Sequence, residues 1–328
     1  GFNQGNRVPT PIELGCADPN NPCKLPNSMA GDPPLNQVVA KTWELGVRGG
    51  FGPALRWNLG AFRTENHDDI LFVADNQSGF GYFRNFGRTR RQGIEAGMAV
   101  RVADVQFGAN YTYLEATYQS TETINGAANS SNDAPAAGLD GNIVINPGAH
   151  IPLIPSQLFK AYADWDITRE VSLNVDLVAA AGFYARGNEN NQHQPDGLYY
   201  LGPGKTSGYA VVNLGGAWRP AAGWRFFFQV NNLFNTQYYT AAQLGATGFT
   251  NSGNFIARPF AMPVVDGARP VVSATFYAPG APRTAWIGIS YAFDKVAPRS
   301  AQSAPRREAW PPSKPSSARS TPRSLVQR

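Results

Sequence analysis

No stretch of the 328-residue chain offers the run of about 18 apolar residues that a membrane-crossing helix requires. Charge is also scarce: Asp, Glu, Lys and Arg make up 16%, against about 25% in an ordinary soluble domain. Two cysteines and three histidines leave little material for metal chemistry. Cys16 and Cys23 stand with six residues between them in a Pro/Asn-rich stretch with no neighbouring His, which argues against zinc. Their spacing reads as a small disulfide-closed loop formed in an oxidising compartment. No glycine-rich phosphate loop leads into a helix, and no Ser–His pairing declares itself. The sequence therefore predicts no enzyme, no metal and no cofactor. The chain opens at Gly1 without Met or a signal peptide, which reads as a fragment or a processed product.

The net charge of +5 has a local origin. Residues 294–328 hold eight of the 28 Lys/Arg and two of the 23 Asp/Glu, so the remainder carries 20 basic against 21 acidic groups. The main body thus has no basic field with which to hold nucleic acid. The Pro/Ser/Arg-rich segment 294–328 is expected to be a disordered tail.

What the chain has in abundance is alternation. Trp43, Leu45, Val47 and Phe51 alternate with Glu44, Gly46, Arg48 and Gly50, and Leu55, Trp57 and Leu59 with Arg56, Asn58 and Gly60. Ile94, Ala96, Met98, Val100 and Val102 oppose Glu95, Gly97 and Arg101; Val105, Phe107, Ala109, Tyr111 and Tyr113 oppose Gln106, Gly108, Asn110 and Thr112. The same sorting recurs at 159–167, 171–177, where Asp176 falls on the polar side, 212–218, 224–230 and 287–293. A period of two puts each set on one face of a strand. Soluble sandwiches alternate as well, so the connections decide. Short turns at 51–54, 102–105, 167–171 and 219–223 alternate with a connection around 75–80 and long ones at 120–155, 185–206 and 239–283. Strict short–long alternation is the habit of outer-membrane β-barrels, with apolar residues toward lipid and Trp and Tyr at the interfaces. About nine strands are expected over 41–293, with room for a tenth earlier. An odd count puts the two chain ends on opposite sides of the membrane and describes an incomplete barrel.

Four segments carry more than periodicity: Asn85-Phe-Gly-Arg-Thr-Arg-Arg-Gln-Gly-Ile-Glu95, Ile151-Pro-Leu-Ile-Pro155, Asn231-Asn-Leu-Phe-Asn-Thr-Gln-Tyr-Tyr239 and Pro279-Gly-Ala-Pro-Arg-Thr-Ala-Trp-Ile-Gly-Ile-Ser-Tyr-Ala-Phe293. In this order and spacing they resemble the C-terminal half of TonB-dependent outer-membrane receptors, over roughly residues 41–293. The resemblance implies an all-β, antiparallel transmembrane β-barrel, here partial, with nine or ten of about 22 expected strands. It implies active uptake of a scarce ligand such as a ferric siderophore across the bacterial outer membrane. Energy would come from the TonB-ExbB-ExbD system through an N-terminal plug that matches nothing in this sequence, so the piece alone should not transport. It also implies that Tyr291 and Phe293 act as the barrel assembly signal, a role from which the 294–328 extension departs. Under this reading 1–40 is an extracellular-type loop closed by Cys16 and Cys23, and 41–293 are the barrel strands.

The candidate contacts follow from that frame. Glu44, Arg48, Arg88, Arg90, Arg91, Glu95 and Asp176 are expected to face the lumen, the three arginines as a cluster toward the plug or an anionic ligand. Aromatic and Arg groups on flexible loops suit a chelate, which nominates Arg186, His193, Tyr199, Tyr200, Phe249, Phe255 and Arg258. His67-Asp68-Asp69 has no second His at ligand spacing and reads as a strand end. A passive porin, or a structural or adhesin barrel, remains the alternative on the same architecture.

Overall fold

The computed structural model describes residues 1–16, 35–74, 81–250, 252–255, 264–265 and 267–293. In chain order the elements are β1 (Phe2–Arg7), α1 (Pro11–Gly15), β2 (Val38–Phe51), β3 (Leu55–Ala74), β4 (Gly81–Val102), β5 (Val105–Tyr118), β6 (Glu122–Asn125) and β7 (Asn142–Ile145). They continue as β8 (Gln157–Asp166), β9 (Val171–Ala180), β10 (Tyr200–Leu201), β11 (Tyr209–Trp218), β12 (Trp224–Asn231), β13 (Tyr239–Ala246), β14 (Ser273–Pro279) and β15 (Thr284–Tyr291). Ten of the strands form one antiparallel meander in the order β1-β2-β3-β4-β5-β8-β9-β11-β12-β15. The sheet is an open, partial barrel wall whose edges are β1 and β15.

The predicted turns fall where expected: β2 ends at Phe51 and β3 starts at Leu55, β4 and β5 meet across 103–104, and β11 passes to β12 between Trp218 and Trp224. Ladder register turns alternation into faces. Across β2, β3, β4 and β5, Leu45, Ala61, Ile94 and Tyr113 stand in one row, followed by Val47, Leu59, Ala96 and Tyr111. Phe51, Leu55, Val100 and Phe107 stand two rows further toward the turns. Large apolar side chains lie bare along this outer face, up to Ile287 at 86% exposure on β15. In water that pattern would be an aggregation hazard; against lipid it is the required solvent match. Gly49 stands across from Trp57, where a Cβ would come within 2.9 Å of the indole; the glycine leaves the ring its place on the wall.

Two expectations change here. Residues 1–40 do not begin as a loop, because Phe2–Arg7 pairs residue by residue with Val38–Trp43. Only Phe2 in that strand is apolar, so period two could not disclose it; pairing with β2 creates it. Among the described residues the wall then has ten strands, and the even count brings the end of β15 to the turn side, from which β1 also rises, so the odd-count argument for opposite sides fails. The long connections also carry structure of their own. β6 and β7 form a hairpin within 120–155, and β10, β14 and β13 form a three-stranded sheet that ties 185–206 to 239–283. The connection around 75–80, Cys23, Arg258 and the tail 294–328 lie outside the described residues.

Candidate ligand cleft at the loop end of the wall

A strand needs about 9–11 residues to cross the hydrocarbon. β3 has 20 residues and β4 has 22, so both extend well past the bilayer on the loop side. Their extensions, with the end of β5, build the back of a cleft of about 110 Å³. Leu71, Phe72, Phe86, Tyr118, Ile124 and Ile145 line its floor and sides; Ile151, Pro152, Leu153, Arg186 and Glu189 close it. It lies on the inner face, since Tyr118 shares the parity of Thr112 and Glu115 stands on the opposite, outer parity with Tyr113.

The floor follows from alternation in a second hairpin. Within Asn142-Ile143-Val144-Ile145 the two isoleucines are buried and Val144 is exposed. Ile124, Ile143, Ile145 and Ile151 pack on Phe86 and Tyr118, whose rings lie 4.7 Å apart. The hairpin is thereby pinned to the wall rather than free to swing. Arg84 of β4 pairs with Glu122 of β6 along the same seam. At the mouth, Leu153 holds a left-handed backbone (φ 65°), with its N–H donating to Tyr184 O at 2.9 Å. A non-glycine residue adopts that conformation only when its surroundings impose it.

Arg186 and Glu189 supply the charges. Arg186 is exposed, its guanidinium 5.8 Å from the Phe72 ring centroid, and its backbone bridges to β13 through Ala242 and Leu244 at 2.9 and 2.7 Å. Burial pushes the Glu189 carboxyl up from its ordinary value, opposed by the Gly187 N–H at 2.9 Å and by the charge of Arg186.

Beneath the cleft an inner-face network secures β3 to β4. Asp69 accepts from Thr89 Oγ1 at 2.6 Å and from Arg91 Nη1 at 3.3 Å, and both Asp69 and Thr89 are buried. His67-Asp68-Asp69 is therefore part of a strand-to-strand contact, and no metal-holding group occurs among the described residues.

The nominated residues divide. Arg186 reaches the cleft. His193 does not: it is 3% exposed, its Nδ1 accepts from the Ser130 N–H at 3.2 Å, and its Nε2 faces Gly202 O at 3.2 Å. Tyr200 is buried with its hydroxyl accepting from the Gly138 N–H at 3.0 Å, and it meets His193 edge-on at 6.0 Å. Both lock loops together, and neither is free to meet a ligand. Tyr199 is half-buried beside Gly138. Around them Asn129, Asn188 and Asn190 are buried and bonded to Gly187 O, Gly204 O and Ser131, so 126–141 and 185–206 form one assembly. Phe249 and Phe255 stand apart from the cleft as an exposed edge-to-face pair, 52% and 71% exposed. Cys16 is buried and disulfide-bonded.

Of the expected lumen residues, Glu44, Arg48, Arg91, Glu95 and Asp176 occupy the inner parity of their strands. Arg90 does not. It pairs across β3 with Glu65, which shares its face with Leu59 and Ala61, and Arg88 follows at the next such position against His67. Three arginines in four residues cannot share one face of a strand, so the single cluster read from the sequence divides between two sides. The residues missed altogether are the apolar floor, Phe86 and Tyr118 above all. Phe86 stands in the Asn85–Glu95 motif, but nothing local marks it as part of a cleft.

Ten meandering strands, an outer apolar face, short turns on one side and an elaborated loop end on the other define an outer-membrane receptor-type barrel. Residues 1–233 match the family model described as TonB dependent receptor-like, beta-barrel, and the chain belongs to that family. The match reaches to residue 1, where the motifs had placed the start near 41. A curated relative, the ferric-pyoverdine receptor PbuA of a Pseudomonas species, is 28% identical over 233 residues, covering 69% of this chain and 24% of its own length. The chain therefore spans about a quarter of that relative. Among solved structures, the copper transporter OprC superimposes with a TM-score of 0.54 at 17% identity, covering 88% of this chain and 35% of that one. A PfeA mutant, the ferric enterobactin receptor of Pseudomonas aeruginosa in complex with enterobactin, gives 0.52 at 15% identity, covering 88% and 37%. These likenesses bear on the fold. The family's members are receptors and not enzymes.

Proposed function

We propose that the chain forms part of the wall of a receptor for active uptake of a ferric siderophore across the bacterial outer membrane. The observation that carries this reading is the inner-face cleft, where the exposed Phe72 ring lies beside the exposed Arg186 guanidinium, over a floor formed by the buried Phe86 and Tyr118. An anionic iron chelate with flat organic arms presents the complementary chemistry. The curated relative is named as a receptor for ferric pyoverdine, an iron-bearing ligand. Strands beyond β15 and β1 would satisfy the two open edges in lipid, and a plug filling the lumen would couple the ligand to the TonB-ExbB-ExbD system. Tyr291 and Phe293, in edge-to-face contact at 5.0 Å at the turn end, are the proposed assembly signal.

Radioiron uptake by iron-starved cells carrying the receptor tests the proposal. Arg186→Ala together with Phe72→Ala is expected to weaken ferric siderophore binding about tenfold or more, from the loss of one cation and one aromatic contact. Unchanged binding would remove the cleft from the account. Uptake that persists in cells without TonB would instead favour the passive porin.

A further inference from the structure

Immediately loopward of the apolar rows, the outer face turns cationic. The row Phe2, Trp43, Arg63, Gln92 and Glu115 is followed by Gln4, Lys41, Glu65, Arg90 and Thr117, then by Asn6, Val39, His67 and Arg88. Lys41, Arg63, Arg88 and Arg90 thus share one patch of wall with only two carboxylates. Glu65 is divided between two partners, Arg63 at 2.5 Å and Arg90 at 3.3 Å. Glu115 accepts from Gln92 at 2.8 Å rather than from a cation. No described carboxylate lies in ion-pair range of Lys41 or Arg88. Arg90 also keeps a buried Nε donor without a partner, alone in this among the described side chains.

The height of the patch is set by strand length. Counting back from the turn after Val102, about 9–11 residues bring β4 through the hydrocarbon to the neighbourhood of Gln92 and Gly93. Arg63 and Arg90 then stand at headgroup level, with Arg88 just above. Trp43 and Phe2, 5.4 Å apart between ring centroids, lie on the same outer face where interfacial aromatics belong. The lumen cannot be served from here, because Arg91, which does face inward, is engaged with Asp69 on the opposite side of the sheet.

We propose that Lys41, Arg63, Arg88 and Arg90 form a docking site for the phosphate of a lipid headgroup in the loop-side leaflet. Planar guanidinium groups bind phosphate oxygens two at a time, and the half-satisfied Arg63–Glu65–Arg90 group leaves donors free to do so. Lysine and arginine beside an apolar wall recognise anionic headgroups by the same field. The site rests on the barrel fold and is independent of which ligand the cleft takes.

The chain purified from membranes in a neutral detergent can be titrated with micelles containing phosphatidic acid, with phosphatidylcholine micelles as the zwitterionic reference and inorganic phosphate as the free anion. Phosphatidic acid binding is expected to fall about tenfold or more in the triple variant Lys41→Gln, Arg63→Gln and Arg90→Gln, and to hold in Arg91→Gln on the other face. Glu65→Gln is expected to tighten binding severalfold, a gain that misfolding cannot imitate. Weakening by Glu65→Gln, or a triple variant that binds like the parent, overturns the proposal. Inorganic phosphate binding as tightly as the lipid overturns the assignment to a headgroup.

Discussion

Phe86 on β4 and Tyr118 on β5 meet on the inner face with ring centroids 4.7 Å apart and planes tilted by 41°, and Phe86 has no solvent exposure. The β6–β7 hairpin rests on this pair through Ile124, Ile143 and Ile145. Replacing Phe86 by Ala removes the ring on which the hairpin is seated and is expected to cost about 3–5 kcal/mol of local stability. Limited proteolysis of residues 119–150 in the assembled receptor would read this out directly. Resistance equal to the parent would mean that the hairpin is held elsewhere.

Inner and outer parity can be tested on two positions of β4 three residues apart. Met98 lies bare on the apolar face, while Glu95 occupies the other side. Met98→Arg near the bilayer midplane should destabilise the folded wall by about 2–4 kcal/mol, whereas Glu95→Gln should have little effect. Folding into lipid vesicles, followed by resistance to urea, distinguishes the two. Equal effects would contradict the assignment of faces.

His193 makes the loop assembly sensitive to acid. Burial holds its pKa below the ordinary histidine value, with the Gly202 carbonyl and Asp196 opposing. Its Nδ1 accepts a hydrogen bond, so only the neutral ring serves the assembly. The opened loops therefore take up the proton more readily than the closed ones. Stability is fully present above about pH 6.5 and is lost as pH falls through the depressed folded value. Hydrogen exchange at 126–141 and 185–206 should accelerate on acidification, and His193→Gln should flatten the response.

Glu189 acts with the opposite sign. Its carboxyl is raised by burial, so the folded site favours the protonated form. Stability from this group is present below the ordinary carboxylate value and declines as pH rises through the raised one. Glu189→Gln should slow exchange in the same loops at neutral pH. If Glu189 also repels an anionic chelate, the variant should tighten ligand binding; calorimetry on the full-length receptor measures both.

Asp69 joins β3 to β4 above the bilayer. Asp69→Ala leaves the buried Thr89 hydroxyl and one Arg91 contact without an acceptor, an expected loss of about 1–3 kcal/mol. Thermal unfolding should show it, with Asp69→Asn recovering part of the loss.

Much of the wall was legible in the chain because a strand's side chains alternate by geometry alone. Val47, Leu59, Ala96 and Tyr111 declared their common face without any knowledge of their neighbours, and the short turns at 51–54 and 102–105 followed from the breaks between runs. The strand Phe2–Arg7 did not declare itself: a polar segment becomes a strand only when a partner offers its ladder. The same limit applied to the ligand contacts. His193 and Tyr200 have the chemistry of ligand residues, yet their hydrogen-bonding groups are taken up by Ser130 and Gly138, more than 60 positions away.

The sequence by itself determined the class of molecule: low charge, no apolar run and period-two faces leave a strand-built membrane wall, and the motifs attach it to a receptor family. Tertiary structure alone decided which side each arginine of the 88–91 run serves: Arg90 pairs with Glu65 on the outer parity, whereas the alternation of β3 breaks at the left-handed Asp68 (φ 54°), beyond which Asp69 meets the inward Arg91. It also decided that the long connections fold into a braced cap over an inner cleft. Alternation is a local property of the backbone, whereas register and loop packing are set by residues far apart in the chain, and the cleft is made entirely of such contacts.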